Sequence, residues 1–418
     1  MRIVHLNYAI AAPQHGADYR SHHLARLWVE AGHSVTIVGS SYSHLLADEI
    51  RFAGPFLELH QDGVRYVLLK APKYKSGVGR ALNLFTCMAR VRRHQSAIVG
   101  EPRPDVVMGA SVYQVDNYAA RRIAKEHNAL FIRETRDLWP LTLFELAGMK
   151  PWHPFALLVQ HAENYGFRHA DMVATTLANS FDHMHAHGLD RERWIYMPQC
   201  PNPFEARHEV EIPAVHAQAI ARARAEGKFI VIFTGSIVLA ADLDTLLNAA
   251  KLVENEKVQF FLVGRGPLEE SLKQKAAALN LRNLDFLPAV PRSSVPPLLR
   301  ASDAATVGFL DRPLYRYGVS PNKIFEYLQN GLPVIFYCQT KGDPISESGA
   351  GLVVQPENPG ALAGAIRALM AKTPEERRAI GQRGRDFVRS RHDLRTVSAD
   401  YLRLFDQLLL RKRAAPVE

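Results

Sequence analysis

The chain has 418 residues, 47% of them hydrophobic, which gives room for two or three domains around substantial cores. It has no run of eighteen or more apolar residues, so no membrane-spanning helix is expected. The formal charge of +9 suits anionic partners such as nucleotide diphosphates or a lipid surface. Nucleic acid would answer the same charge, but no recognition motif for it is present and no such partner is expected. Cys87, Cys200 and Cys338 are few and far apart, as expected of reduced cytosolic thiols rather than of a disulfide frame or a metal site.

The opening, residues 1–8, turns polar too soon for a signal peptide and reads as a strand over 2–8. A loop with Gly16 and Arg20 follows, then a helix to about residue 31 and a strand at 34–38. Strand, glycine-bearing loop, helix, strand is how a Rossmann-like unit begins, although the loop lacks the GxGxxG of a dinucleotide site. Residues 70–94 carry Lys70, Lys73, Lys75, Arg80, Arg90, Arg92 and Arg93 and no acid, with Leu82, Leu84, Phe85 and Met88 interleaved. This stretch either rests on an anionic membrane or is a solvated basic helix packed on the sheet. Strands are expected at 105–110 and 129–134. The second runs into Thr135-Arg136-Asp137-Leu138-Trp139-Pro140, polar residues at the strand end where open α/β sheets hold ligands. Arg136 is not a base; Asp137 is expected either to bind a ligand hydroxyl or to cap the following turn. Residues 153–170 and 179–187 read as helices, 171–175 and 194–197 as strands. His183 and His187, spaced i, i+4, are a possible metal pair. No acidic or cysteine third ligand is evident and HExxH is absent, so a polar helix face is expected instead.

Three prolines in Pro198-Gln-Cys-Pro-Asn-Pro203 mark a domain boundary. The pattern then restarts, with strands at 229–235, 258–264, 284–287 and 304–309 and helices between them. Such alternation predicts a parallel sheet covered on both faces. Gly235-Ser236 and Gly264-Arg265-Gly266 close the first two of these strands. Glycine there serves either a ligand that approaches the backbone or a tight turn.

Ser320-Pro321-Asn322-Lys323-Ile324-Phe325-Glu326-Tyr327-Leu328 then reads as a short helix, stopped by Gly331 and followed by a buried strand at 332–337. Its unpaired N-terminal N–H groups suit a phosphate, with Lys323 beside them. Glu326 shares a face with Lys323 and is able to accept hydrogen bonds from ribose hydroxyls. The same pattern also fits an ordinary amphipathic helix. Helices at 361–369, 374–391 and 395–410 close the chain.

The 320–335 stretch resembles the donor-binding helix of family-4 retaining glycosyltransferases, in the branch written Pro-Asn-Lys-x-x-Glu-Tyr-Leu and found in bacterial surface polysaccharide biosynthesis. The likeness is close over residues 229–392 and looser over 1–200. It implies a GT-B fold: an N-terminal acceptor-side Rossmann-like domain (1–198), a hinge (199–227), a C-terminal nucleotide-sugar-binding Rossmann-like domain (228–394) facing the first across a cleft, and a crossover helix and tail (395–418) returning to the first domain. The loop with Gly16 and Arg20 resembles the acceptor-side loop of these enzymes, with Ala17 where a second glycine is usual. Arg136 stands where many relatives have histidine, and Asp137 keeps the aspartate. The arginine and lysine that usually follow the first glycine of the second domain are replaced here by Ser236-Ile237 and Leu239-Ala-Ala241; Lys323 and Arg265 are expected to take over. Gly318 stands where many members carry the first of two glutamates, and Gly318 and Ser320 are expected to offer backbone N–H groups instead.

On this resemblance the chain is expected to be a cytoplasmic enzyme attached peripherally to the inner membrane face. It would move a sugar, with retention, from a nucleotide diphosphate donor, UDP ahead of GDP, to a lipid-linked saccharide. Arg136, Asp137 and Lys323 form the expected catalytic set; Gly235, Ser236, Gly264, Arg265, Ser320, Asn322, Lys323 and Glu326 the donor site; Lys73, Lys75, Arg80, Phe85 and Met88 the membrane patch. No cofactor is expected, and no metal, since no Asp-x-Asp closes a strand. A sugar-nucleotide 2-epimerase and a non-catalytic nucleotide-sugar-binding subunit are the alternatives.

Overall fold

The computed structural model describes residues 1–15, 19–43, 46, 49–75, 77–204 and 210–414. The chain divides into two compact units, Met1–Pro198 with Leu394–Glu418, and Gln199–Asp393.

The first unit is built on an eight-stranded sheet. In chain order its strands are β1 (Arg2–Leu6), β2 (Ser34–Ser40), β3 (Phe56–Gln61), β4 (Val64–Leu69), β5 (Val106–Gly109), β6 (Leu130–Thr135), β7 (Met172–Thr175) and β8 (Trp194–Tyr196). In space they run β3-β4-β2-β1-β5-β6-β7-β8. Each pairing is parallel except that of β3 with β4. That hairpin turns through Asp62 and Gly63, at φ 50° and 77°, the left-handed pair that a two-residue hairpin loop needs. β1, β5, β6 and β7 are buried along their whole length, as strands covered on both faces must be.

The last helix, Leu394–Ala414, belongs to this unit although it closes the chain. Trp28 packs edge-on against Tyr401 and Phe405, at 5.7 and 5.8 Å between ring centres. Its indole N–H donates to the Ser398 carbonyl. Tyr401 in turn donates to Glu134 Oε1 at 3.0 Å, beneath the end of β6.

The second unit holds a six-stranded, all-parallel sheet: β9 (Phe229–Ser236), β10 (Val258–Arg265), β11 (Leu284–Leu287), β12 (Ala304–Gly308), β13 (Val334–Tyr337) and β14 (Gly351–Val354), in the order β11-β10-β9-β12-β13-β14. Phe233, Phe260 and Leu262 pack with Leu246 and Leu247 of the helix Leu243–Leu252 and Ile366 of the helix Pro359–Met370. The strand order reverses direction between β9 and β12, the switch point where open α/β sheets leave a crevice. Part of the expected connector, the helix Ala214–Ala225, packs into this unit. His216 meets the Pro288 carbonyl at 2.9 Å, and Arg222 pairs with Asp285 at 2.6 Å.

Candidate functional site

Pro321, extended at φ −71° and ψ 135°, occupies the N-cap position of the helix Asn322–Gln329. Ile324, Phe325, Tyr327 and Leu328 form its buried face. Tyr327 fixes the helix to β9: its hydroxyl accepts from the Thr234 backbone N–H at 2.8 Å. The helix start is therefore held at the C-terminal end of β9, beside the switch point.

Lys323, half-buried, turns back over that strand end. Its Nζ stands 3.9 Å from the centre of the Phe233 ring, an arrangement in which a cation is attracted to the aromatic face. Gly235 makes room for it. A Cβ at Gly235 would lie 3.3 Å from both Cε and Nζ of Lys323, and the backbone φ of +125° disfavours a side chain in any case. Among the described residues Lys323 has no hydrogen-bond or ion-pair partner. Desolvation lowers its pKa to about 8, against the opposing field of Glu326. Ser236 and Arg265 face each other across the β9–β10 register, and both are exposed. Gly235, Ser236, Arg265, Lys323 and the helix start thus gather positive charge and backbone donors at the C-terminal end of β9 and β10.

Three donor-site expectations are modified. Gly264 does not leave space for a ligand, because a Cβ there would meet the Gly235 carbonyl oxygen at 1.9 Å. Its glycine serves the close approach of β9 and β10. Glu326 is not an open carboxylate, since Arg292 pairs with it. Asn322 accepts from Gln199 through Oδ1. Arg292, Gln199 and Phe233 were not singled out in the sequence. Arg292 lies 34 residues from its partner, and no local pattern marks the pairing. Ser320 is half-buried just before the helix, and Gly318 has φ +108°.

In the first unit, Arg136 is half-buried and Asp137 exposed on the turn after β6. Asp137 accepts no hydrogen bond from the described residues, so it does not cap the turn. Arg20 departs from expectation. It is buried, with Nε 3.0 Å from Glu134 Oε1 and Nη1 and Nη2 donating to the carbonyls of Pro198 and Met197 at 2.7 and 3.2 Å. These bonds tie internal elements of the first unit together. Gly16 lies outside the described residues.

The basic stretch forms the helix Gly77–Arg93. Leu84, Cys87 and Val91 face the core, while Val78, Leu82 and Phe85 are 84%, 59% and 50% exposed on the other side. Met88 is half-buried. Arg80 does not join the outward face: its guanidinium lies over the rings of Tyr74 and Tyr113, at 5.4 and 5.5 Å. Lys73 pairs with Glu49 at 3.0 Å, and Lys75 is exposed.

Residues 15–200 match the glycosyl transferase 4-like domain, and residues 217–387 match the glycosyl transferases group 1 family. The first match falls almost wholly in the first unit and the second lies in the second unit. Over 228 residues it is 25% identical to the putative colanic acid biosynthesis glycosyl transferase WcaI of Escherichia coli, covering 53% of this chain and 55% of that protein. The match thus spans about half the length of that curated relative. Among solved structures, sucrose-phosphate synthase from Thermosynechococcus elongatus superposes with a TM-score of 0.76 at 17% identity, over 98% of this chain and 99% of that one. The Anabaena protein HepE, solved with UDP-glucose, gives 0.69 at 15% identity over 97% and 100%. The fold is GT-B, with two parallel-sheet Rossmann-like domains.

Proposed function

We propose that this chain is a glycosyltransferase that transfers a sugar from a nucleotide diphosphate donor, UDP-linked rather than GDP-linked, to a lipid-linked saccharide. The observation that carries the reading is the ammonium of Lys323, without a hydrogen-bond or ion-pair partner among the described residues and held beside Gly235 at the start of the helix Asn322–Gln329. A half-buried cation at a helix N-terminus, with no ion-pair partner among the described residues, suits an anion, and a diphosphate supplies one. The UDP-glucose bound to HepE and the colanic acid assignment of the Escherichia coli relative support the choice of donor and pathway class.

In the proposed chemistry the bond between C1 and the phosphate oxygen breaks as the acceptor hydroxyl attacks from the same face. The anomeric configuration is retained, and the departing phosphate takes the hydroxyl proton. Lys323, Arg265 and the helix N–H groups, with the Gly318 and Ser320 backbone, stabilise the charge that builds on the leaving diphosphate; one such donor is worth about 3 kcal/mol of barrier. With these cations supplied by the chain, the proposed reaction requires no metal. Glu326, oriented by Arg292, addresses the ribose. Asp137, which accepts no hydrogen bond from the described residues, is assigned to an acceptor hydroxyl and Arg136 to the sugar. The exposed Val78, Leu82 and Phe85, flanked by Lys75 and the arginines at the helix end, are assigned to an anionic membrane at the cytosolic face.

Calorimetric titration with UDP, GDP and ADP, followed by turnover of the matching nucleotide sugars with membrane extract, tests this reading. Saturable UDP binding and a sugar-bearing lipid product are expected. Epimerised nucleotide sugar, or tight binding with no product, would replace it with one of the other two activities.

A further inference from the structure

A second cluster of chemistry-bearing side chains lies in the first unit, whereas the residues assigned to the donor belong to the second. The helix Pro154–His169 carries Glu163, and the helix Phe181–Ala186, ending at His187, carries His183. The imidazoles of His183 and His187 are 4.5 Å apart between ring centres. Glu163 Oε2 is 3.5 Å from His183 Nε2. One ligand atom from each of the three residues lies within 4.8 Å of the other two. The facing helix thus provides the acidic third ligand that the i, i+4 histidine pair lacks in the sequence.

Glu163 is fully buried. Its other contacts are neutral amides: Gln160 donates to Oε2 at 2.9 Å, and Gln114 donates to Oε1 at 3.4 Å. No Lys or Arg among the described residues forms a salt bridge with it. A buried carboxylate needs positive charge to offset its desolvation; the buried Arg133 guanidinium acts on Glu163 through its field alone, and a bound cation would add a direct bond. Two imidazoles and a carboxylate form a donor set suited to Zn²⁺ and its first-row neighbours. A tetrahedral zinc at about 2.0–2.2 Å from its ligands places donor atoms about 3.4 Å apart. Glu163 and His183 already stand at that spacing, and His187, half-buried at the helix end, has its Nδ1 3.4 Å from the Gln160 amide nitrogen that also bonds Glu163. The amides form the outer shell that orients metal ligands.

We propose that Glu163, His183 and His187 bind one divalent transition ion of the Zn²⁺ class. The ion clamps the two helices together. Gln114, which bonds both Glu163 and the Trp139 carbonyl, couples the clamp to the turn that carries Asp137. The role is structural, so chelation lowers stability and leaves UDP affinity unchanged.

The test is zinc chloride titration of chelator-treated full-length protein, with elemental analysis and thermal unfolding alongside. One zinc per chain, a raised Tm that EDTA reverses, and at least about a tenfold loss of affinity in each of His183→Ala and His187→Ala are expected. The chain has 18 histidines, so Co²⁺ absorption in the wild type and in the double variant separates this site from adventitious ones. Wild-type protein that takes up no stoichiometric zinc, or a double variant that binds it as well as the wild type, overturns the proposal.

Discussion

Lys323 Nζ and the Phe233 ring are 3.9 Å apart, and Gly235 has no side chain to come between the ammonium and the end of β9. The relationship sets a pH dependence. With a pKa lowered to about 8, Lys323 is charged at pH 7 and largely neutral at pH 9. An anionic diphosphate binds the charged form, so affinity falls as pH rises through about 8, approaching tenfold per unit above it. UDP calorimetry at pH 7 and 9 checks this. Lys323→Gln should weaken UDP binding at pH 7 and flatten the profile; a profile that keeps its slope in that variant assigns the titration to another group.

Gly235→Ala places a methyl group against Lys323 at a φ of +125°. The strained backbone costs on the order of 1 kcal/mol, measurable by urea unfolding. The displaced ammonium should cost UDP affinity by more than that strain. A variant equally destabilised but with unchanged UDP binding would separate Lys323 from the donor.

The helix proposed to hold the donor was legible in the sequence because its signals are local. Pro321 and Gly331 mark its ends, and the apolar positions share one face. The Asp62-Gly63 hairpin was equally local, but its signal was not used. What sequence reasoning missed or misjudged depends on distant partners. Arg20 resembles a loop cation until Glu134, 114 residues on, and the carbonyls of Met197 and Pro198 surround it. Arg80 counts toward a basic patch until Tyr113 covers it. Glu163 is not found by a search for spaced motifs, because only the packing of one helix against another brings it to His183.

Arg20→Ala leaves the Glu134 carboxylate buried beside Tyr401 without its cation. Breaking a buried pair from one side costs about 3–5 kcal/mol. Tyr401→Phe removes one hydrogen bond to the same carboxylate and costs about 1.5–3 kcal/mol. Chemical denaturation of the first unit measures both. The two effects should not add, since both act on Glu134. An Arg20→Ala protein as stable as the wild type would return Arg20 to the acceptor-side loop role that the resemblance implies.

Leu82 and Phe85 lie on the outward face of the helix Gly77–Arg93, where substitution leaves the core side chains Leu84, Cys87 and Val91 in place. Leu82→Glu with Phe85→Glu should therefore change stability little but abolish sedimentation with vesicles rich in anionic lipid, by removing apolar insertion and adding negative charge. Arg92→Ala with Arg93→Ala should weaken the same binding by about 1 kcal/mol per residue and reduce its salt sensitivity. Arg80→Ala separates stacking from membrane contact. With its guanidinium held between Tyr74 and Tyr113, its loss should lower the Tm and leave vesicle binding intact, whereas a selective loss of vesicle binding would place Arg80 at the lipid surface.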